Sequence, residues 1–229
     1  MDVVYICRKG DNEELRYSIR SVVENLPHRS ITVVGERPDW YVGPFIHVPA
    51  RYSKVKNAKM NMRQICITNG ISDEFILMND DFFIMEKIDK LENYHQGTLL
   101  EKAKYYDSLS PTSIYTKYLW DTYDYLVNKG FQNPLNYEQH VPMVVTKNGL
   151  LNAIKPHGTL HRSIFGNRYL EGKSINMERD VKVYVTEPEK SFPYKTQPSP
   201  FLSTEDESFP VLLDEILKEK FPNKTKYER

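Results

Sequence analysis

The most constraining feature of this chain is an apolar run that ends in two adjacent carboxylates. Residues 75–78 (Phe-Ile-Leu-Met) lead directly into Asn79, Asp80 and Asp81, and three more apolar residues, 82–84, follow. An unbroken apolar run of this length predicts a strand that is buried on both faces. Two carboxylates at its end are costly to bury without a partner, so they should lie in solvent at the sheet edge or on a bound cation. Ligands bind at the carboxyl ends of strands in open α/β sheets, and our working hypothesis is that these three polar residues hold a divalent metal on a diphosphate. The alternative is a polar turn between two strands.

Composition narrows the class of protein. The chain has 229 residues, of which 40% are hydrophobic, which suits one large α/β domain or one domain with a small appendage. The 31 basic residues balance the 31 acidic ones, so the net charge gives no global support for a nucleic acid or an anionic membrane as partner, although a local basic patch remains open. Cys7 and Cys66 are predicted to be reduced and buried, which favours a reducing compartment. No segment is long and apolar enough to cross a bilayer, and no signal-peptide pattern is present, so the sequence predicts a cytoplasmic protein.

The first 35 residues predict a βαβ unit with parallel strands. Val3–Ile6 and Ile31–Val34 are rich in β-forming residues and predict two strands. Between them, Asp11 and Glu14 resemble a capping box that starts an amphipathic helix. Phe45–Val48 predicts a short third strand.

Cations cluster in two places that could meet a phosphate. Arg8 follows the first strand, at the sheet edge where a nucleotide would lie. Residues 51–63 form the densest basic stretch and predict a helix whose free N–H groups and cations suit a phosphate, with a solvated charged face as the alternative. The first turn of this helix carries Lys54, Lys56, Asn57 and Lys59. Arg20 is predicted to lie on the solvated face of the first helix.

The second half of the chain contains one further candidate pair. Glu138 and His140 are two residues apart in a predicted extended segment, so their side chains point the same way. Such a pair can act as a general base with its orienting group, or as a base beside a metal ligand, and a plain surface pair is the alternative. Helices are predicted over residues 116–129 and 147–154, and a turn over 165–167.

The C-terminal part is predicted to be less regular. Residues 187–210 are rich in proline and predict an irregular arm, after a last strand that includes residues 183–185. Residues 208–221 predict a terminal amphipathic helix, and the Lys-rich tail after Pro222 is predicted to fray. The expected organisation is therefore a catalytic domain over residues 1–186, with an arm and helix over residues 187–229 packed on the same domain.

The motif Leu77–Phe83 (Leu-Met-Asn-Asp-Asp-Phe-Phe) resembles the acidic DxD-type motif of nucleotide-sugar glycosyltransferases with the GT-A fold. More narrowly, it is similar to the motif of Stealth-type sugar-phosphate transferases. The segment Glu14–Ser21, the tripeptide His140-Val141-Pro142 and the pair Arg162-Ser163 resemble further short Stealth motifs. The resemblance covers patches of the first 170 residues, in a chain shorter than typical Stealth proteins.

The resemblance implies an α/β fold with a GT-A-like, Rossmann-like central sheet that is mostly parallel and flanked by helices. It implies a metal-dependent glycosyltransferase that moves a sugar from a nucleoside diphosphate sugar, most simply a UDP-sugar, to a hydroxyl acceptor. The acceptor would be a glycan or another hydroxyl compound, with modified nucleic acid as a further option. The alternatives are a Stealth-like hexose-1-phosphate transferase and a non-catalytic nucleotide-sugar-binding module.

The same resemblance implies roles for individual residues. Mn²⁺ or Mg²⁺ would bind Asp81 first, with Asp80 as a direct or water-mediated ligand. Glu138 would be the base for the acceptor, with His140 as base, orienting group or third ligand. The donor would be bound by Arg8, Glu36, Lys56, Asn57, Asn61, Asn79, Asp80 and Arg162, the last on a phosphate or an acidic acceptor group.

Overall fold

The computed structural model describes residues 1–184 and 198–229 and divides into two compact units. Unit 1 comprises Met1–Leu91, His140–Val144 and Val181–Arg229, and unit 2 comprises Glu92–Gln139 and Val145–Asp180. The predicted arm residues 187–197, and Val185 of the predicted last strand, lie outside the described residues.

A five-stranded sheet forms the centre of the fold, with the strand order β3-β2-β1-β4-β7. Its strands are β1 (Asp2–Cys7), β2 (Ile31–Gly35), β3 (Phe45–His47), β4 (Glu74–Asn79) and β7 (Met143–Thr146). Strand β1 pairs in parallel with both β2 and β4, and β2 pairs in parallel with β3. The predicted α/β fold with a mostly parallel central sheet is therefore confirmed, as is the predicted burial of the Asp-Asp strand on both faces.

Helices α1 (Glu13–Asn25) and α2 (Lys54–Ile67) connect the parallel strands of unit 1. The capping-box pattern predicted that Asp11 caps the first helix, and this prediction is wrong. Asn12 caps it instead, in a left-handed conformation with φ 50°, and its side-chain oxygen accepts the Leu15 N–H at 3.2 Å. Asparagine tolerates this conformation better than most residues because its short polar side chain can bond locally.

A stripe of buried polar residues on α1 anchors the strand that follows the two aspartates, β5 (Phe82–Ile84). Ser21 Oγ accepts the Ile84 N–H at 2.9 Å, and Asn25 Nδ2 donates to the Ile84 carbonyl at 2.7 Å. Ser18 Oγ donates to the Phe82 carbonyl. Spacings of three and four residues place these side chains on one helix face, so α1 satisfies backbone groups of β5 that would otherwise be buried without partners.

Strand β5 belongs to a second sheet of unit 1, with the order β5-β10-β9. Strand β10 (Phe201–Thr204) runs antiparallel to β5 and parallel to β9 (Lys182–Val183). The prediction of an irregular arm is therefore wrong for residues 201–204. They form a regular strand because their backbone groups pair with the edge of β5.

The C-terminal segment is helical over three consecutive pieces. Phe209–Leu212 is α-helical, Leu213–Leu217 is a π-helix and Lys218–Lys220 is α-helical again, which confirms the predicted terminal helix. Its apolar face packs in a buried cluster with the second sheet, where the Phe83 and Phe209 rings stack with centroids 6.3 Å apart.

The tail after Pro222 is packed, which corrects the prediction that it frays. The ring of Tyr227 stacks on Tyr41 with centroids 6.2 Å apart, and the Val42 N–H donates to the Tyr227 carbonyl at 3.0 Å. Glu228 forms a buried ion pair with Arg20, at 2.6 Å between Nη2 and Oε2. Arg20 is thus buried and paired, and its predicted place on a solvated face is wrong.

Unit 2 consists of short strands and four helices. Strand β6 (Asn93–His95) pairs in parallel with β8 (Ser174–Asn176). The helices are α3 (Leu99–Leu109), α4 (Ile114–Val127), α5 (Lys147–Ala153) and α6 (His161–Tyr169). Residues 165–167 lie inside α6, so the predicted turn there is wrong. Gly166 serves packing, because a Cβ at this position would come within 2.3 Å of the Tyr137 ring.

Candidate functional site

The candidate site lies where the order of the central sheet reverses. From β1 the chain adds β2 and β3 on one side and then places β4 on the other, so the carboxyl ends of β1 and β4 flank a switch point. Ligands bind at such points in open α/β sheets because the two adjacent loops leave in opposite directions. A cavity of about 610 Å³ occupies this position in unit 1. It is lined by Ile6, Cys7, Arg8, Lys9, Glu14, Val48, Ala50, Lys54, Asn57, Ala58, Asn61, Asn79, Asp80, Asp81, Lys182, Thr204, Glu205, Asp206 and Glu207.

Asp80 and Asp81 occupy the turn between β4 and β5, where the chain leaves one sheet and enters the other. Asn12 Nδ2 donates to Asp80 Oδ2 at 2.7 Å, and Arg8 Nε lies 3.4 Å from the same oxygen. Asp81 Oδ2 lies 3.7 Å from Lys182 Nζ. The two carboxylates therefore face different partners, and their side chains are only 16% and 19% exposed.

Arg8 connects three carboxylates around the cavity. Its Nη2 atom lies 2.8 Å from both Glu14 Oε2 and Asp206 Oδ1, in addition to the contact with Asp80. The hydrogen bonds with Asp206 raise the pKa of Arg8, so the guanidinium stays charged. One cation thus contacts acidic groups from the turn after β4, from α1 and from the loop after β10.

The carboxyl groups around the cavity nevertheless disfavour each other's ionised form. Burial raises the pKa of Asp80, and the charge of the neighbouring Asp81 raises it further. Burial also raises the pKa of Glu14 to about 6, and the charge of Asp80 adds to that rise. Adjacent carboxylates that disfavour each other's ionisation in this way are stabilised by an added cation.

The donor set fits a divalent cation that is completed by a ligand. Among residues 1–184 and 198–229, no three His, Cys, Asp or Glu side chains converge in a metal-binding arrangement. Two adjacent carboxylates are sufficient for Mg²⁺ or Mn²⁺ when phosphate oxygens and water supply the other positions. Cys7 lines the cavity but is not suited as a ligand, since burial raises the pKa of its thiol to about 12.

Most of the predicted donor-binding residues of unit 1 line this cavity. The residues that do so are Arg8, Asn57, Asn61, Asn79 and Asp80, and the predicted metal ligand Asp81 also lines the cavity. Asn57 has a second task, because its amide Nδ2 donates to the Tyr52 carbonyl at 2.7 Å and its Oδ1 accepts the Tyr52 N–H at 3.0 Å. It therefore also fixes the loop before α2.

Two predicted donor-binding residues of unit 1 do not contribute to the lining. Glu36 Oε1 accepts the Ala50 N–H at 3.0 Å and its Oε2 lies 3.5 Å from His47 Nε2. The Lys56 Nζ atom lies 3.9 Å from the centre of the Tyr52 ring. Both side chains are used in local contacts beside the cavity in the described structure.

The predicted catalytic pair is divided between the two units. His140 belongs to unit 1, where its ring and that of Phe82, the residue after Asp81, form a T-shaped pair with centroids 6.4 Å apart. Glu138 belongs to unit 2, where its Oε1 accepts the Ser163 N–H at 2.9 Å in the first turn of α6. Its carboxylate therefore satisfies a free N–H of that helix. The catalytic roles of Glu138 and His140 stay predictions.

Arg162 also belongs to unit 2 and is buried there. Its Nε atom donates to the Tyr137 carbonyl at 3.2 Å, so part of the guanidinium is used to hold the segment before His140. Its role toward a phosphate or an acidic acceptor stays a prediction.

Several residues that line the cavity were not predicted from the sequence as site residues. Glu14 belongs to the capping-box-like pattern that begins at Asp11, but the helix starts one residue later than that pattern requires. Lys182 and the acidic run 205–207 come from the C-terminal part of the chain. The sequence marks these residues only as charged. Their place at the cavity depends on the pairing of β10 with β5 and β9, which a linear sequence does not show.

Solved structures offer a comparison of fold. The galactosyltransferase LgtC, in complex with donor and acceptor sugar analogues, matches 100% of this chain and 85% of its own, with 8% identity and a TM-score of 0.45. The apo form of the glycosyltransferase GlyE of Streptococcus pneumoniae TIGR4 matches 98% of this chain and 65% of its own, with 11% identity and a TM-score of 0.45. The apo form of mouse xyloside xylosyltransferase 1 matches 90% of this chain and 95% of its own, with 7% identity and a TM-score of 0.37. No protein-family model and no curated protein matches the chain. These three matched structures are glycosyltransferases, the class of enzyme that the sequence motif resembles. The likeness is one of fold alone. The narrower resemblance to Stealth-type sugar-phosphate transferases stays a prediction.

Proposed function

We propose that this protein is a metal-dependent glycosyltransferase that moves a sugar from a nucleoside diphosphate sugar to a hydroxyl acceptor. The observation that carries the proposal is the cavity at the sheet's switch point, where Asp80 and Asp81 share one space with the cations Arg8, Lys54 and Lys182. A diphosphate bound through a divalent cation needs carboxylates on the metal side and cations on the phosphate side. The cavity volume of about 610 Å³ lies within the usual range for small-molecule sites.

The carboxylates and the cations of the cavity would stabilise the leaving diphosphate in different ways. Asp81 and Asp80 would hold Mn²⁺ or Mg²⁺, and the ion would neutralise charge on the departing diphosphate. Lys54 and Lys182 line the same cavity and would bind phosphate oxygens directly. Arg8 would keep Asp80 oriented while its other contacts hold Glu14 and Asp206.

The cavity also has an apolar part that suits a nucleoside. Ile6, Val48, Ala50 and Ala58 contribute to the lining beside the charged groups. An aromatic base gains most from contact with such side chains, since its faces are poorly solvated by polar groups. The proposed donor is therefore a UDP-sugar or a related nucleotide sugar, with a glycan or other hydroxyl compound as acceptor.

The acceptor hydroxyl requires a proton acceptor if the reaction inverts the configuration at the sugar. Glu138 is our proposed base. One of its oxygens is used at the start of α6, which would hold the carboxylate in a fixed orientation. His140, whose ring lies against that of Phe82, is our proposed second member of the pair, as base, orienting group or third metal ligand.

A donor screen tests the proposal. Thermal unfolding would be measured with UDP-sugars and other nucleotide sugars, each with and without Mn²⁺. A ligand at one hundred times its dissociation constant should stabilise the folded protein by about 2.7 kcal/mol. We expect this shift only when Mn²⁺ and the correct donor are both present.

Asp81→Asn should abolish both the Mn²⁺-dependent shift and sugar transfer while the unliganded protein stays folded. Asp73→Asn is the matched control, because Asp73 is exposed, does not line the cavity and undergoes the same change of charge. An Asp81→Asn variant with full transfer activity would refute the proposal. A metal-dependent shift without any donor turnover would instead identify a binding module.

Product analysis separates the proposed reaction from sugar-phosphate transfer. A glycosyltransferase releases the nucleoside diphosphate, whereas a Stealth-like enzyme releases the nucleoside monophosphate and leaves one phosphate on the acceptor. Chromatography of the nucleotide product distinguishes the two.

A further inference from the structure

Helix α2 has a second face that points away from the cavity. Cavity-lining residues such as Asn57 and Asn61 lie on its inner side. Its outer face, which we call the α2 outer face, comprises Val55, Lys56, Lys59, Met60, Arg63 and Ile67. At about 100° per residue these six positions fall within an arc of about 140°, so they form one continuous stripe. The stripe runs from Val55 to Ile67, nearly the whole length of α2, and is about 20 Å long.

The charge on this stripe has a single sign. The chain contains no Asp or Glu between Asp39 and Asp73, although its acidic and basic residues balance overall. Within residues 1–184 and 198–229, Lys56 and Arg63 form no ion pair. No carboxylate in the described part of the protein therefore neutralises these two charges, and the contact of Lys56 with the Tyr52 ring leaves its charge in place for an anionic partner.

Exposed apolar side chains are interleaved with these cations. Val55, Met60 and Ile67 are all exposed, and Ile67 is 59% exposed at the end of the helix. Phosphate contacts of a soluble polyanion such as nucleic acid are electrostatic, and aliphatic side chains between the cations add little to them. An anionic bilayer uses both kinds of group, since its headgroups attract cations while its acyl boundary takes up aliphatic side chains.

We propose that the α2 outer face docks unit 1 on an anionic lipid bilayer. The docking is peripheral, and no helix among the described residues is long and apolar enough to span a membrane. The bilayer would contact the side of α2 opposite to Asn57 and Asn61, so the cavity would remain accessible about one helix diameter away. The inference does not depend on the proposed reaction, since lipid binding can be measured without a donor.

Vesicle sedimentation tests the proposal with the complete chain. Vesicles of phosphatidylcholine alone would be compared with vesicles that contain 30% phosphatidylglycerol, at low and at high salt. We expect binding only to the anionic vesicles, weakened by salt. Each cation near an anionic surface contributes roughly a fivefold change in affinity, so the double variant Lys56→Gln, Arg63→Gln should bind roughly 25-fold more weakly.

Matched controls exist in unit 2. Lys104→Gln with Lys129→Gln removes the same charge from exposed positions outside the α2 outer face. For the apolar contribution, Ile67→Ser should weaken vesicle binding roughly fivefold. Its control is Leu109→Ser, because Leu109 is 60% exposed and also ends a helix, α3.

Loss of binding in the α2 variants, with both controls unchanged, supports the proposal. Three results would overturn it: absence of binding to anionic vesicles, equal losses in the controls, or an Ile67→Ser variant that binds like the parent protein. Binding of a duplex DNA probe as tight as vesicle binding, and insensitive to Ile67→Ser, would also overturn it and identify a general polyanion surface.

Discussion

The buried ion pair between Arg20 and Glu228 leads to a quantitative prediction about stability. Arg20 Nε donates to Glu228 Oε1 at 3.0 Å, and Nη2 lies 2.6 Å from Oε2, so the pair is bidentate. The side chains are 8% and 0% exposed. Arg20→Met would leave the Glu228 carboxylate buried without its partner, although the Thr225 N–H would still donate to it.

Removing one partner of such a pair costs about 3–5 kcal/mol, because the remaining charge keeps its desolvation penalty and loses its attraction. For a protein of this size that corresponds to a fall of roughly 6–20 °C in the melting temperature. Adding Glu228→Leu to Arg20→Met should recover most of the loss, since the remaining charge is then gone. Lys218→Met, which breaks the exposed pair of Lys218 with Asp214, should change stability by less than about 0.5 kcal/mol.

The pH dependence provides a second readout. Burial acts to raise the pKa of Glu228, but hydrogen bonds from Arg20 and the Thr225 N–H outweigh it and lower the pKa below 4.5. The contribution to stability is therefore complete above pH 4.5 and is lost as the pH falls through the lowered pKa. Urea unfolding followed by far-UV circular dichroism at several pH values measures both effects. An Arg20→Met variant that loses under 1 kcal/mol and keeps the acid dependence of the parent would refute this reasoning.

Three further predictions concern other parts of the fold. Because the pKa of Glu14 is raised to about 6, the unliganded protein should lose stability on the order of 1–2 kcal/mol as the pH rises from about 4.5 to about 6, and Glu14→Gln should remove this slope in pH-dependent urea unfolding. Gly166→Ala should destabilise the protein by about 1–3 kcal/mol in the same assay, since the new Cβ would meet the Tyr137 ring at 2.3 Å, and an unchanged midpoint would contradict this packing. Asp206→Asn breaks the exposed part of the contacts of Arg8 and should change the unfolding free energy by less than about 1 kcal/mol; a larger loss would show that this contact is not screened by solvent.

The parallel sheet could be predicted because its strands are short apolar runs rich in β-branched residues. The rule that parallel strands present their carboxyl ends at one edge then brought Arg8 and Asp80 together correctly. Both residues directly follow a strand, so a local pattern was sufficient to place them.

Long-range contacts were not predictable in the same way. Arg20 and Glu228 are 208 residues apart, and helical periodicity shows only that Arg20 is charged, not that a buried partner exists. Strand β10 lacks the alternating pattern of a half-buried strand and follows a Pro-rich segment, and its pairing with β5 is a tertiary event. At Gly166 the sequence suggested a turn, whereas the glycine is needed because the Tyr137 ring occupies the space of a side chain.

Arg8 and Asp206, which meet at the cavity, are 198 residues apart in the chain. At the usual rate of synthesis of about 5–20 residues per second, Asp206 is added roughly 10–40 s after Arg8. During that interval the nascent sheet can pair β1 with β4, while the strand and loop that complete the cavity do not yet exist. A growing chain would therefore acquire its central sheet well before it could bind a ligand at the switch point.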